Sequence, residues 1–196
     1  MRFELLGWPD DGVTLRLDHE RFAYAGKFVM SSTGKAVAVE GDTVSAFPDA
    51  REGYAEGVLA AVAFNEDRTD PDTLWLRYVT VRADRRGEGI GSRFVAFVTR
   101  RAHEAGYERV RIAVNNPYSY EALSKAGFGF SGRETGIAEL VMEHPSDGAR
   151  YREGLARFAD RDLSPEEKRF VAERTERGPP PRPGDDSPPD GDRRGS

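Results

Sequence analysis

The sequence contains no cysteine, and its other scarce features also exclude classes of site. Without cysteine the chain has no disulfide and no thiolate to serve as nucleophile or zinc ligand. The three histidines, His19, His103 and His144, lie far apart in sequence and show no metal-binding spacing, so we expect no metal site. No apolar run approaches the ~18 residues of a membrane span, and the N-terminus lacks the pattern of a signal peptide. We therefore expect a cytoplasmic protein that does not contact membranes.

Lysine is scarce as well, since nearly all of the basic residues are arginines. The formal net charge is −5 at pH 7, which disfavours a general nucleic-acid binder. Hydrophobic residues make up 38% of the 196 residues and charged residues 32%. This composition is typical of a globular protein that is large enough to bury a core.

The chain divides into three segments by composition. We expect one globular domain over 1–145, a helical extension over 146–177 and a disordered tail over 178–196. The tail is rich in Pro, Gly, Asp and Arg and has almost no apolar residue. In the extension, apolar residues at helical spacing from Tyr151 predict one helix. Ser164 followed by Pro165 and Glu167 predicts a capped second helix. We expect this pair of helices to pack on the core or on a partner.

Within the domain, strand patterns precede an alternation of strands and helices. Apolar alternation and β-branched residues predict strands over the following ranges: 13–19, 56–67, 73–81, 108–114 and 136–143. A helix is predicted to end at Gly106, with a buried face formed by Ile90, Phe94, Phe97, Val98, Arg101 and Ala105. Asn116 and Pro117 predict the start of another helix, which ends at Gly127. Residues 20–50 are compatible with either a short helix or two strands.

The segment "RADRRGEGIGSRF" (82–94) places glycines at 87, 89 and 91 between a predicted strand and a predicted helix. The first N–H groups of a helix have no intrahelical partner, and the helix dipole adds partial positive charge there. Glycine lets anionic oxygens approach the backbone, and Arg85 or Arg86 can add a charged contact. The segment predicts a phosphate site, with a plain tight turn as the alternative.

Two common phosphate motifs do not fit this segment. The Gly-Lys-Ser/Thr of a P-loop is missing, and the dinucleotide pattern GxGxxG fails because position 92 is serine. The next strand also ends without the acidic residue that would hold a ribose.

The order Arg86-Gly87-Glu88-Gly89-Ile90-Gly91 instead follows Arg/Gln-x-x-Gly-x-Gly/Ala. A predicted strand precedes this loop, and a helix, a strand, an asparagine, a second helix and a Gly-Phe pair follow it. In this layout, residues 58–143 resemble the GNAT superfamily of acetyl-CoA-dependent N-acetyltransferases. The resemblance implies an α/β fold. Its central sheet would be mixed, mostly antiparallel, and splayed between the strands at 73–81 and 108–114.

The resemblance also implies a reaction. An acetyl group would move from acetyl-CoA, as co-substrate, to a primary amine by direct attack in a ternary complex. The acceptor would be a small molecule or a protein amine, and no metal would take part. A homodimer is one assembly left open. The alternatives are an acyl-CoA-binding module without transfer, and a scaffold whose C-terminal helices bind a partner.

For acetyl-CoA, the resemblance assigns the pyrophosphate to the backbone of one loop, formed by Arg86, Gly87, Glu88, Gly89, Ile90, Gly91 and Ser92. It assigns the pantetheine arm to the exposed backbone of Val79 and Val81, and to Asn116. An asparagine at this position is also a helix N-cap, and the two roles are compatible. The N–H of Val79, or of a neighbour, is expected to stabilise the oxyanion.

The general acid departs from the family pattern, because the usual tyrosine, four residues before the Gly-Phe pair, is Leu123. Tyr120, roughly one helical turn earlier, is the expected replacement, with Tyr118 and Ser124 as lesser candidates. A tyrosine ring that packs against the sheet is the structural alternative for Tyr120.

A general base is not evident in the strand at 73–81. Glu139 is the expected base, directly or through water, and Tyr78 and Glu56 are alternatives. Basic side chains near the expected acceptor side would repel a cationic acceptor unless carboxylates balance them: Lys27, Lys35 and Arg77.

Overall fold

The computed structural model describes residues 1–41, 47 and 50–181. Most of the predicted tail, from residue 182, lies outside the described residues, as do 42–46 and 48–49 from the ambiguous 20–50 stretch.

A seven-stranded sheet forms the centre of the described structure. Its strands are β1 (Arg2–Gly7), β2 (Gly34–Val39), β3 (Val58–Glu66), β4 (Thr73–Val81), β5 (Arg109–Val114), β6 (Gly129–Glu134) and β7 (Leu140–His144). The spatial order is β1-β2-β3-β4-β5-β7-β6, and every neighbouring pair is antiparallel except β4 and β5, which are parallel. This arrangement confirms the predicted mixed, mostly antiparallel sheet.

Four α-helices accompany the sheet: α1 (Ile90–Glu104), α2 (Pro117–Lys125), α3 (Tyr151–Ala159) and α4 (Pro165–Arg177). The predicted caps are present. The Asn116 side chain accepts a hydrogen bond from the Ser119 N–H at 2.9 Å, and Ser164 and Glu167 form a capping box. Within the described ranges, no helix is long and apolar enough to cross a membrane.

The buried face of α1 differs from the predicted one. The structure buries Ile90, Phe94, Val95, Val98, Thr99 and Ala102. The predicted Phe97 lies toward β1, where its ring is 5.5 Å from that of Phe3 and stays partly exposed. Arg101 pairs with Glu104 on the surface. The helix is thus rotated relative to the prediction, because its flank meets the edge of the sheet rather than the centre.

The predicted strand at 13–19 is wrong, although its apolar alternation has a structural basis. The segment is extended but forms only isolated backbone hydrogen bonds, such as Leu15 N–H to Phe28 C=O at 3.0 Å. Leu15 and Leu17 are buried in a second core cluster against β2 and β3. The alternation of apolar residues therefore reflects burial of one side of an extended segment. It does not show that the segment pairs with another strand.

The strand predicted at 136–143 begins later, at Leu140, because a turn precedes it in which Ala138 has a φ of 61°. For the 20–50 stretch, the described part contains a short 3-10 helix at Ala25–Lys27 and one strand, β2, so it combines parts of both alternatives.

Lys35 does not face an acceptor, contrary to the expectation. It lies in β2 with a fully buried side chain, and its ammonium group contacts the carbonyl oxygens of Val13, Met30 and Thr33 at 2.7, 2.6 and 2.8 Å. Burial lowers its pKa to about 8. The lysine thus anchors the loop that covers the second core cluster.

Candidate functional site

The sheet opens between β4 and β5, as predicted. The two strands pair only from Thr73 with Arg109 to Leu76 with Ile112. Beyond that point β4 pairs with β3 alone, and the end of β5 pairs with β7. The second half of β4 therefore has one unpaired edge that faces a gap.

A β-bulge marks the point where the strands separate. The register between β3 and β4 shifts between the pairs Ala63–Tyr78 and Phe64–Leu76, which leaves Arg77 without an opposite residue. A bulge bends its strand and increases the local twist. The bulge at Arg77 thus turns the second half of β4 away from β5.

The free edge of β4 presents the backbone groups of Val79 and Val81. The Arg82 N–H donates to the Leu59 C=O at 2.8 Å, so the backbone of Arg82 faces β3. Successive residues of a strand point their N–H and C=O groups to opposite edges. The groups of Val81 and Val79 therefore point into the gap, which is where the prediction needs them.

A glycine-rich turn connects β4 to α1. Gly87 has a φ of 86° and Gly89 a φ of 72°, and a Cβ on either residue would meet no atom within 4 Å. Both positions have the left-handed backbone that favours glycine, and the space in front of them is open. Gly91 has a different role, because a Cβ there would lie 3.4 Å from Val81 Cγ2. It lets α1 pack closely on β4.

The N-terminus of α1 points at this turn. Gly89 is the N-cap, and the Arg93 N–H donates to its carbonyl at 3.3 Å. By helix geometry, the N–H groups of Ile90, Gly91 and Ser92 precede the first intrahelical donor. These groups and the helix dipole favour an anion.

The charges around the turn are partly neutralised within it. The Arg85 guanidinium contacts Glu88 and Glu40, each at 2.8 Å, and its hydrogen bond lowers the pKa of Glu88. Arg86 and Arg93 form no ion pair with any residue that the structure describes. Their side chains reach backbone carbonyls instead: that of Arg86 reaches Val81 at 3.4 Å, and that of Arg93 reaches Gly89 at 3.3 Å. They leave net positive charge beside the gap.

Comparison with known proteins identifies the family. Residues 9–128, more than half of the chain, match the model of the acetyltransferase (GNAT) family. The chain belongs to the GNAT family. No curated protein matches the sequence.

Solved structures with a similar arrangement include three acetyltransferases. An acetyltransferase from Bacillus subtilis in complex with CoA is 15% identical with a TM-score of 0.49, and the match covers 72% of this chain and 96% of that one. An N-acetyltransferase from Staphylococcus aureus Mu50 is 21% identical with a TM-score of 0.43. The match covers 57% of this chain and 66% of that one. A GCN5-related N-acetyltransferase from Kribbella flavida is 22% identical with a TM-score of 0.43. The match covers 58% of this chain and 68% of that one.

Asn116 follows Asn115 just beyond the open end of β5 in this GNAT protein. Besides capping α2, its side-chain amide donates to Ser119 Oγ at 3.0 Å and to Asn115 Oδ1 at 3.2 Å. The capping role is therefore observed, and contact with a pantetheine arm stays a prediction.

The structure argues against Tyr120 as a general acid. Its side chain is fully buried, and its hydroxyl donates to the Tyr151 carbonyl at 3.0 Å under α3. Burial raises the pKa of Tyr120. The phenol therefore points to α3 with its proton already engaged, and its ring packs in the core beside Phe158. This packing favours the structural alternative for Tyr120.

The lesser acid candidates do not replace it. Ser124 is buried and donates to the Tyr120 carbonyl at 2.9 Å, and Leu123 is a core residue. The Tyr118 ring lies 4.6 Å from that of Phe170 in α4, and burial raises its pKa. Among the base candidates, Glu56 is exposed and precedes β3.

Glu139 lies beside the open end of β5. It immediately precedes Leu140, which pairs with Val114, the last residue of β5. Its backbone N–H donates to Thr135 Oγ1 at 3.2 Å, and its carboxylate accepts a hydrogen bond from the same hydroxyl at 3.4 Å. Glu139 thus lies across β5 from the gap, and its role as general base stays a prediction.

Arg161 is a residue of this region that the sequence reasoning missed. It lies between α3 and α4, and its guanidinium donates to the Asn115 carbonyl at 3.1 Å and to the Ala138 carbonyl. It thereby joins the segments that carry Asn116 and Glu139. No local pattern could have revealed these contacts, since both partners are distant in sequence.

Proposed function

We propose that this GNAT protein transfers an acetyl group from acetyl-CoA to a primary amine by direct attack in a ternary complex. The observation that carries the proposal is the free edge of β4, which leads directly into the glycine-rich turn and the N-terminus of α1. The edge offers a row of backbone hydrogen-bonding groups to an extended ligand, and the turn offers an anion site at its end. Together they suit a molecule with a long polar arm and a pyrophosphate.

The placement of the residues supports the following binding roles. The N–H groups of the loop from Arg86 to Ser92 would bind the pyrophosphate, with the unpaired charges of Arg86 and Arg93 nearby. The backbone of Val79 and Val81, together with Asn116, would bind the pantetheine arm. Acetyl-CoA supplies the acetyl group in activated form, as a thioester.

The backbone N–H of Val79 would stabilise the oxyanion that forms during the reaction. This N–H points into the gap, where it would stabilise negative charge that develops on the acetyl oxygen as the amine nitrogen attacks. The carbon–sulfur bond then breaks and the sulfur leaves as a thiolate. Because a thiol has a pKa near ~8.5, the thiolate needs little help from an acid. The burial of Tyr120 is therefore compatible with turnover.

Glu139 would accept the proton from the attacking amine, directly or through water. We predict that Glu139→Gln lowers kcat about 100-fold, the lower end of the usual contribution of a general base, with little change in the affinity for acetyl-CoA. Steady-state release of CoA thiol, together with calorimetric titration of acetyl-CoA, would measure both effects. Glu134→Gln, an exposed residue of β6, serves as the matched control. An unchanged kcat in Glu139→Gln would remove the residue from the mechanism.

A screen of amines with acetyl-CoA tests the proposed function itself. Release of CoA thiol that depends on the amine, with the acetylated amine detected by mass spectrometry, would support it. Tight binding of acetyl-CoA without transfer to any small amine, peptide N-terminus or lysine peptide would favour an acyl-CoA-binding module instead.

A further inference from the structure

The face of the sheet opposite α1 carries aromatic side chains next to Val79. Val79 and Val81 pack toward the core cluster that contains α1, whereas Tyr78 packs against the second cluster. Trp75 alternates with Leu74 and Leu76, which belong to the α1 cluster, so it shares the face of Tyr78. The residue just before the proposed oxyanion donor thus projects to the side away from α1.

Two cations lie on these aromatic rings. Lys27 Nζ is 5.8 Å from the centre of the Tyr78 ring, and Arg77 Cζ is 5.0 Å from the centre of the Trp75 ring. The Arg77 guanidinium also donates to Asn65 Oδ1 at 2.6 Å. We call Lys27, Trp75, Arg77 and Tyr78 the cationic platform.

No carboxylate among the described residues forms a salt bridge with Lys27 or Arg77. Arg111, farther along the same face, behaves differently, since it pairs with Asp67 at 3.2 Å and with Glu143 at 2.7 Å. Salt bridges on this face thus hold Arg111, whereas the described residues give Lys27 and Arg77 none, and Asp67 acts on Arg77 only through its electrostatic field. The Arg77 side chain is exposed, so a ligand can reach its guanidinium.

Tyr24 borders the platform in a strained conformation. Its φ is 60°, which is unusual for a residue other than glycine, and its side chain is 54% exposed. Its ring lies 5.8 Å from that of Tyr78. Such strain collects where ligands bind, and here it holds an exposed ring at the edge of the platform.

We infer that the acceptor is a small amine that also carries a carboxylate, of the amino-acid class. The inference rests on the proposed function. Lys27 and Arg77 would hold the carboxylate, with a two-pronged contact available to the guanidinium, and the aromatic rings would support the apolar part. The amine would then reach the acetyl group bound at Val79. Polyamines would be disfavoured, because a second ammonium would meet these cations.

The positive platform would also assist the chemistry. Only the neutral amine can attack, and nearby cations lower the pKa of an ammonium group. The charges that bind the carboxylate would thus increase the fraction of neutral amine at the reacting position, which reduces the work left to Glu139.

Matched acceptors test the inference. Amino acids, their amides and the corresponding decarboxylated amines, for example tyrosine, tyrosine amide and tyramine, would be compared as acetyl acceptors with spermidine. We expect kcat/KM at least 10-fold higher for the amino acids. In Arg77→Gln and Lys27→Gln this preference should shrink at least 10-fold, mainly through KM, with amides unaffected. Arg133→Gln, on the same face but paired with Glu143, is the control.

Calorimetric binding of the same acceptors in the presence of CoA separates the two proposals. Turnover of amines with no preference for a carboxylate, or with a preference for spermidine, overturns the amino-acid assignment and leaves the acetyltransferase proposal intact. Carboxylate-dependent binding that Arg77→Gln abolishes, without turnover of any amine, supports the platform and contradicts the transfer. Equal binding of amino acids and amides without turnover overturns both.

Discussion

Gly89→Glu is expected to weaken the binding of acetyl-CoA at least 100-fold while the protein stays folded. The new side chain would enter the open space in front of the N-terminus of α1, where the pyrophosphate is proposed to bind. Its carboxylate would occupy the same N–H groups and repel the phosphates. Folding should tolerate the change, because a carboxylate at a helix N-terminus is favourable and a left-handed residue costs only about 1–2 kcal/mol.

Gly12→Glu is the matched control for this variant. Gly12 has a φ of 65° and, like Gly89, no atom within 4 Å of an added Cβ. It follows a short turn after β1 and is not part of the gap. Calorimetric titration should show wild-type affinity for Gly12→Glu and no measurable binding for Gly89→Glu. Equal affinities in the two variants would move the pyrophosphate away from the glycine-rich turn.

Gly154→Ala is expected to destabilise the protein by about 3 kcal/mol, which is large for one methyl group. A Cβ at residue 154 in α3 would lie 2.1 Å from the Tyr120 hydroxyl oxygen and 2.6 Å from the ring carbon that bears it. Tyr120 cannot move away easily, because it is fully buried and hydrogen-bonded to Tyr151. The clash far exceeds the ~1 kcal/mol that alanine gains over glycine in a helix.

Tyr120→Phe completes this test and also checks the assignment of Tyr120 as structural. Alone it should cost about 1 kcal/mol for the lost hydrogen bond. In the Gly154→Ala background it should cost less or even stabilise, because the closest clash disappears. Denaturant unfolding of the four proteins gives the coupling. The kcat of Tyr120→Phe should stay within threefold of wild type, whereas loss of a general acid would lower it about 100-fold or more.

The sequence was sufficient for the parts of the site that depend on local geometry. Gly87 and Gly89 mark a turn with a left-handed backbone, and the β-branched residues of β4 define the strand before it. Asn116 and Pro117 define the start of α2. Each of these signals lies within a few residues of the feature that it predicts, so one stretch of chain was enough.

The remaining parts of the fold and the site depend on which side of a helix or strand is covered by other segments of the chain. Helical spacing in α2 places Tyr120 roughly one turn from the usual acid position at Leu123. However, α3 packs over that side of α2 and buries the phenol. Lys35 was expected near the acceptor side, but the loop from Val13 to Thr33 encloses it. Lys27 and Tyr78 are brought together only by the fold. No spacing rule relates residues that are so far apart in the chain.

The melting temperature of the wild-type protein, measured with and without saturating acetyl-CoA, tests the central claim most directly. At 100 times Kd, the ligand should stabilise the fold by ~2.7 kcal/mol. For a chain of this size that corresponds to a rise of roughly 5–11 °C. No rise at saturating acetyl-CoA would mean that the gap between β4 and β5 and the glycine-rich turn do not bind this ligand, which would contradict the proposed function.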